Sequence, residues 1–294
     1  FFPYDNINEL FSVTTFFMHY LLYNFAMVSK SFGKILLEDV VRMTNVSKTS
    51  HVGGCLSCLD IVNVLFTDII RINSKKPKSK NRDRFILSKG HTSAVIYSAL
   101  ANKGFFPVKW LETFFDNGTK LPGHIDHKVP GVEFSTGSLG HGLSVGLGMA
   151  LSMRNEKVKS KVYVLLSDGE MNAGSTWESI MFAGHHKINN LICIVDKNKF
   201  QALGKTQDVI NLDPLPEKWK SFGWNTYDID GHNSSQIKKA LLSAKKSKQK
   251  PSVLVCNTVK GKGLKGFEGK LMSHYRPPSD DQLNDFMEGL EGIK

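Results

Sequence analysis

The chain has 294 residues, 41% of them apolar and 22% charged, with 25 glycines and 10 prolines, which is ample for one large domain with its own core. The formal net charge of +11 rests mainly on lysines in short runs such as 75–80 and 238–250. No basic helix interleaved with aromatics accompanies them, so nucleic acid is excluded as an expected partner, while the positive field suits anionic metabolites.

The first thirty residues stand apart. Residues 10–28 (LFSVTTFFMHYLLYNFAMV) are almost continuously apolar and about long enough to span a bilayer. No basic residue precedes them, as a signal peptide would require, and His19 and Asn24 interrupt the run. The chain opens on Phe, and Met27 begins a stretch that reads as an ordinary soluble start. Residues 1–30 are therefore expected to be an upstream extension, with a packed helix or a membrane anchor as the alternatives. A membrane partner is not expected.

The spacing of Leu36, Leu37, Val40 and Val41 predicts a helix over 35–43. A glycine-rich break at 51–54 follows, then an apolar helix over 59–70. Cys55 and Cys58 form a C-x-x-C without a second pair at zinc spacing. With Cys193 and Cys256 they read as small buried side chains in a reducing compartment, and a cytoplasmic location is expected. A lysine-rich loop leads to a short apolar run, 85–87, ending in Ser88-Lys89-Gly90-His91, and to a helix over 92–102. The middle is loop-rich, with Leu121-Pro122-Gly123-His124 and then 136–142 (TGSLGHG). Small residues continue through Ser144, Gly146, Gly148 and Ala150, which predicts a helix packed closely on another backbone. Three continuous apolar runs, 162–166, 191–195 and 253–256, read as parallel strands buried on both faces. Helices are predicted between them, over 176–187 and 234–245. Such alternation indicates an α/β fold, a doubly wound and mostly parallel sheet with helices on both faces. One domain is expected over 31–276, followed by a tail or truncated linker over 277–294.

In an α/β sheet, ligands sit outside the carboxyl ends of the strands. Asp168 follows the run 162–166, and Asn198 follows the run 191–195 on the next predicted strand. A carboxylate and an amide oxygen thus share one rim. Mg²⁺ takes about six oxygens, usually one or two of them from side chains. A helix starting near Ser175 would aim its amino end at the same region and favour an anion.

Nine stretches follow one another in order: SHVGG (50–54), DRFILSKGH (83–91), LPGH (121–124), PGVEFSTGSLGHGLSVGLGMA (130–150), SDGEMNAGSTWES (167–179), HHKINNLICIVDKN (185–198), EKWKSFGWN (217–225), DIDGHN (228–233) and TVKGKG (258–263). On these motifs the sequence from residue 32 to residue 276 resembles the transketolase family. The resemblance implies the thiamine-diphosphate-binding fold. It further implies that Asp168, Asn198 and the backbone carbonyl of Phe200 ligate Mg²⁺, or another divalent cation such as Ca²⁺ or Mn²⁺. Gly169 would let the backbone approach the diphosphate, Lys260 would help hold the diphosphate or close the cleft, and Gly137, Ser138 and Leu139 would line the aminopyrimidine end. His51, His91, His124 and His274 would face the thiazolium ring and the sugars, His91 touching the cofactor as well. Histidine suits proton transfers near neutrality. His141 stands where the family more often has Gln, and His185 and His186 read as packing or surface residues.

The implied reaction moves a two-carbon ketol unit from a ketose phosphate to an aldose phosphate, as in the pentose phosphate pathway. In the family a glutamate of the next, pyrimidine-binding domain activates the cofactor. That domain is expected on a partner chain, giving a split enzyme and a heterotetramer. Three departures bear on this. Ser167 replaces the first Gly of G-D-G, Ala173 replaces a Glu of an acidic link between active sites, and Tyr275 replaces a Gly of W-H-G. The alternatives are a sibling thiamine-diphosphate enzyme resembling deoxyxylulose-phosphate synthase, and a non-catalytic subunit that binds cofactor or partner.

Overall fold

The computed structural model describes residues 31–291, so the readings of residues 1–30 lie outside it. Helix α1 (Phe32–Val46) starts where the Ser31 side chain accepts the Lys34 N–H, capping one orphan donor of the first turn. The expected helix at 35–43 is thus extended at both ends. The anticipated break at 51–54 is narrower than its glycines suggest. His51 alone leaves the helical region, with φ 73°, and Gly53 and Gly54 already lie within α2 (Val52–Ser57). The segment expected as one helix over 59–70 is α3 (Leu59–Val64) followed by a π-helical turn, Leu65–Ile69.

Strand β1 (Arg84–Leu87) leads through a short turn to α4 (Ser93–Asn102). Helix α5 (Gly142–Asn155) carries the run of small residues and presses Gly146 onto Val164 of β2 (Val162–Ser167), where an added Cβ would lie 2.5 Å from the Val164 side chain. Helix α6 (Gly174–His185) joins β2 to β3 (Leu191–Lys197). A small hairpin follows, β4 (Phe200–Gln201) and β5 (Gly204–Lys205), then the single turn α7 (Thr206–Val209) and α8 (Leu215–Ser221). Strand β6 (Asn225–Asp230), helix α9 (Ser234–Lys246) and strand β7 (Ser252–Asn257) complete the sheet. Its order is β1-β2-β3-β7-β6, every pair parallel.

Each central strand is buried on both faces, and its side chains alternate between two cores. Tyr163, Leu165, Ile192, Ile194, Leu254 and Cys256 face α1–α4 and α9. Val162, Val164, Leu166, Leu191, Cys193, Val195, Val253 and Val255 face α5, α6 and α8. The doubly wound α/β reading therefore holds, and all four cysteines are buried and free. The stretch expected as a tail contains α10 (Asp280–Glu291), docked on α1 through Asn45 Nδ2 to the Pro278 carbonyl at 3.0 Å and by packing of Leu283 and Phe286. No helix among the described residues is long and apolar enough to cross a membrane.

Candidate functional site

Because all five strands run parallel, their carboxyl ends share one edge, and five loops converge there. Asp168 lies one residue past β2 and Asn198 one past β3, with Ser167 registered on Asp196. Both side chains turn onto the same short segment. Asp168 Oδ2 accepts the Lys199 N–H at 2.8 Å and the Thr206 hydroxyl at 3.0 Å, while Oδ1 accepts the Gly169 N–H at 3.0 Å. Asn198 Oδ1 accepts the Phe200 N–H at 3.1 Å. Lys199 makes this possible by adopting a left-handed turn, φ 69°. An open cleft of about 290 Å³ runs beside Asp168, lined also by Lys197, Lys199, Phe200, Lys205 and Thr206.

Behind this segment lies a buried ion pair that the sequence reading left unassigned. Asp196 is fully buried and meets the buried ammonium of Lys89. Its carboxylate also accepts hydrogen bonds from Ser57 at 2.6 Å, from the Thr258 hydroxyl, and from Asn198 Nδ2 at 3.0 Å. Burial pushes Asp196 up, but Lys89 and these donors outweigh it and hold the group below the usual carboxylate range. The consequence for Asn198 is geometric. Its NH₂ is committed to Asp196, so its oxygen must face the loop. One sequence signal could have found Asp196: it lies two residues before Asn198 and so on the same side of the strand.

The four histidines assigned a role come together. The His51 ring lies 5.1 Å from His91, 6.1 Å from His124 and 4.8 Å from His274, and His91 lies 5.8 Å from His274. Backbone pairing fixes the group, with the His51 N–H donating to the His274 carbonyl at 2.9 Å and the Ile125 N–H to the Gly90 carbonyl at 3.0 Å. Burial lowers His51 to about 4, with the proximity of His124 and Lys260 adding to it. His274 falls to about 3 through burial and Lys260, and His91 falls well below its ordinary value through burial and Lys89. These three imidazoles are neutral at pH 7, each offering one donor and one acceptor nitrogen. His141 sits exposed at the start of α5, and His185 and His186 are exposed at the end of α6, away from the cluster.

Lys260 follows β7 and brings its ammonium within 3.2 Å of His274 Nδ1. The loop 136–141 crosses the other side, where a Cβ on Gly137 would stand 3.2 Å from the His124 ring. Ser138 and Leu139 are exposed along this loop.

Two charges in the rim lack an ion-pair partner among the described residues. Lys260 is 2% exposed and forms no ion pair among the described residues; burial and then Lys89 lower it to about 8. Asp168 is 2% exposed, and burial together with Asp196 raises it to about 6. A buried cation short of an anion, close to a buried anion short of a cation, fits a metal–diphosphate group. No three His, Cys, Asp or Glu side chains form a metal site among the described residues. A cation here would draw on one carboxylate plus amide and carbonyl oxygens, a set of hard donors that suits Mg²⁺.

Residues 29–291 match the family described as transketolase, thiamine diphosphate binding domain. The chain is 41% identical over 242 residues to 6-deoxy-6-sulfo-D-fructose transketolase subunit SqwG of Clostridium sp. strain MSTE9, covering 82% of this chain and 86% of that one. It is 38% identical over 248 residues to an apulose-4-phosphate transketolase subunit of Phocaeicola vulgatus, covering 84% and 88%. The structure resembles the Pichia stipitis transketolase complex with sedoheptulose 7-phosphate, with a TM-score of 0.82, 32% identity and 89% of this chain covered. The Campylobacter jejuni transketolase gives a TM-score of 0.81 at 30% identity over 88% of this chain. The chain spans 40% and 42% of those two solved chains. It belongs to the transketolase family and corresponds to the amino-terminal, thiamine diphosphate-binding domain of that family.

Proposed function

We propose that the chain is the diphosphate-binding subunit of a split transketolase, transferring a two-carbon ketol unit from a ketose phosphate to an aldose phosphate with thiamine diphosphate and Mg²⁺. The observation that carries this reading is the pair of unbalanced buried charges, Lys260 and Asp168, beside three neutral imidazoles. When bound, thiamine diphosphate supplies an acyl-anion equivalent, which no side chain can provide.

In this reading Asp168, the Asn198 oxygen and the Phe200 carbonyl hold the cation, and Lys260 with the Gly169 backbone meets the diphosphate. Gly137, Ser138 and Leu139 border the aminopyrimidine. His51, His91, His124 and His274 orient sugar hydroxyls and carry protons to and from them. Because burial keeps three of these rings neutral at pH 7, they accept protons without first losing one. The lysines lining the cleft beside Asp168 suit anionic substrates, and two relatives are named for sugars bearing a phosphate or a sulfo group.

A partner chain would bring the pyrimidine-binding half and complete a heterotetramer. Relatives named as transketolase subunits support a divided enzyme. The test is co-expression with the adjacent reading frame, followed by a ketol-transfer assay with ketose and aldose phosphates. Transfer that needs both chains, thiamine diphosphate and Mg²⁺ is expected. A pair that binds cofactor but transfers nothing would favour the non-catalytic subunit, and transfer by this chain alone would overturn the divided site.

A further inference from the structure

Glu170 has no place in the chemistry above, yet it is fully buried, one residue beyond Gly169. It sits in the short helical turn Gly169–Asn172 that begins at Asp168. Its main chain is fixed there. The Glu170 N–H donates to the Ser167 hydroxyl at 3.2 Å, and its carbonyl accepts the Ala173 N–H at 3.0 Å. The carboxylate leaves this turn and reaches two other elements. Oε1 accepts the Gly140 N–H at 2.8 Å and the Ser88 hydroxyl beyond the end of β1. Oε2 faces the Ser167 N–H at 3.5 Å.

Gly140 is held from its other side as well, since its carbonyl accepts the Ser175 hydroxyl at 2.8 Å. It occupies φ 90°, and an added Cβ would lie 2.7 Å from both the Ala173 Cβ and the Ser175 Oγ. Gly140 is thus a fixed point at the downstream end of loop 136–141. No cation pairs with Glu170 among the described residues. A buried carboxylate without a cation is costly unless its hydrogen bonds are worth keeping. All the donors it meets belong to three segments that border the candidate cofactor site.

We infer that Glu170 is a positioning residue, which fixes loop 136–141 at a set distance from the Asp168–Gly169 turn. One rigid turn thereby carries the cation ligand at its start and, through the carboxylate, the loop facing the pyrimidine end. The inference rests on the reading of Gly137, Ser138 and Leu139 given above. Its consequence is selective: Glu170 matters for a ligand long enough to reach the loop and not for the diphosphate alone.

The full chain, assembled with its partner for the binding arm, provides the test. Hydrogen exchange at the Gly140 amide is measured in the parent and in Glu170→Ala and Glu170→Gln. In Glu170→Ala the exchange should rise about tenfold or more, as expected when a charge-assisted bond is lost, while amides of β3 keep their protection. Glu170→Gln keeps an acceptor oxygen and should recover most of the protection. Affinity for thiamine diphosphate with Mg²⁺ should fall about tenfold in Glu170→Ala, against less than about twofold for inorganic pyrophosphate with Mg²⁺. Should Glu170→Ala fail to fold, Glu170→Gln decides by the same two ratios, with exchange and thiamine diphosphate affinity each changed about threefold. Unchanged Gly140 exchange, or equal losses for both ligands, overturns the inference. A parent that binds neither ligand overturns the reading of the site itself, and this inference with it.

Discussion

Lys260 shows most directly what the site costs the folded chain. Its ammonium is buried and forms no ion pair among the described residues, and burial with the nearby Lys89 lowers its pKa from 10.5 to about 8. Below pH 8 the folded and unfolded chains both hold the proton, so the penalty is present in full. Between about 8 and 10.5 the folded chain releases the proton first, and stability recovers with rising pH. The gap corresponds to about 3 kcal/mol. Lys260→Met should therefore raise stability in urea by about 2–3 kcal/mol at pH 7 without cofactor, and the gain should shrink as pH rises towards 10. The same variant should bind thiamine diphosphate more weakly, a gain in stability at the expense of function. His51 behaves in the opposite pH range. Its pKa drops from 6.5 to about 4, so the unfolded chain takes up the proton first and stability is lost as pH falls from 6.5 towards 4. His51→Gln should reduce the loss between pH 7 and pH 5 by about 1 kcal/mol, allowing for the ring's partial exposure. Urea midpoints at the two pH values measure it.

At the scale of elements, the rim is tied together by the Lys89–Asp196 pair, which links the turn after β1, the end of β3, helix α2 through Gly54 and Ser57, and the turn after β7 through Thr258. Lys89→Met strands a carboxylate in the interior, and a loss of about 3–5 kcal/mol in urea unfolding is expected. The central strands were legible in the sequence because they are hydrophobic on both faces, and the placement of Asp168 and Asn198 at their ends followed. Strand β6 was not, since Tyr227 and Ile229 are its only apolar residues and the other four are polar, as suits an edge. The glycines at 53 and 54 read as a break but lie in a helix, for a close-packing reason that sequence cannot display: a Cβ on Gly53 would stand 2.2 Å from the Ser273 hydroxyl. The grouping of His51, His91, His124 and His274 came from resemblance to a family. Spacing alone could not give it, because His51 and His274 are brought together by a parallel sheet whose strand order departs from chain order.

Across the whole molecule, five parallel strands bring side chains from distant stretches of sequence to one edge, and that edge collects charges that the described residues do not pair. The most direct measurement is a calorimetric titration of thiamine diphosphate, with and without Mg²⁺, into the chain assembled with its partner, for the parent and for Asp168→Ala. Binding that requires Mg²⁺ in the parent and is lost in the variant, by about a hundredfold or more, is the expected result. Equal affinity in the two proteins, or binding indifferent to the cation, would contradict the assignment of Asp168 as a ligand of the cation that holds the diphosphate.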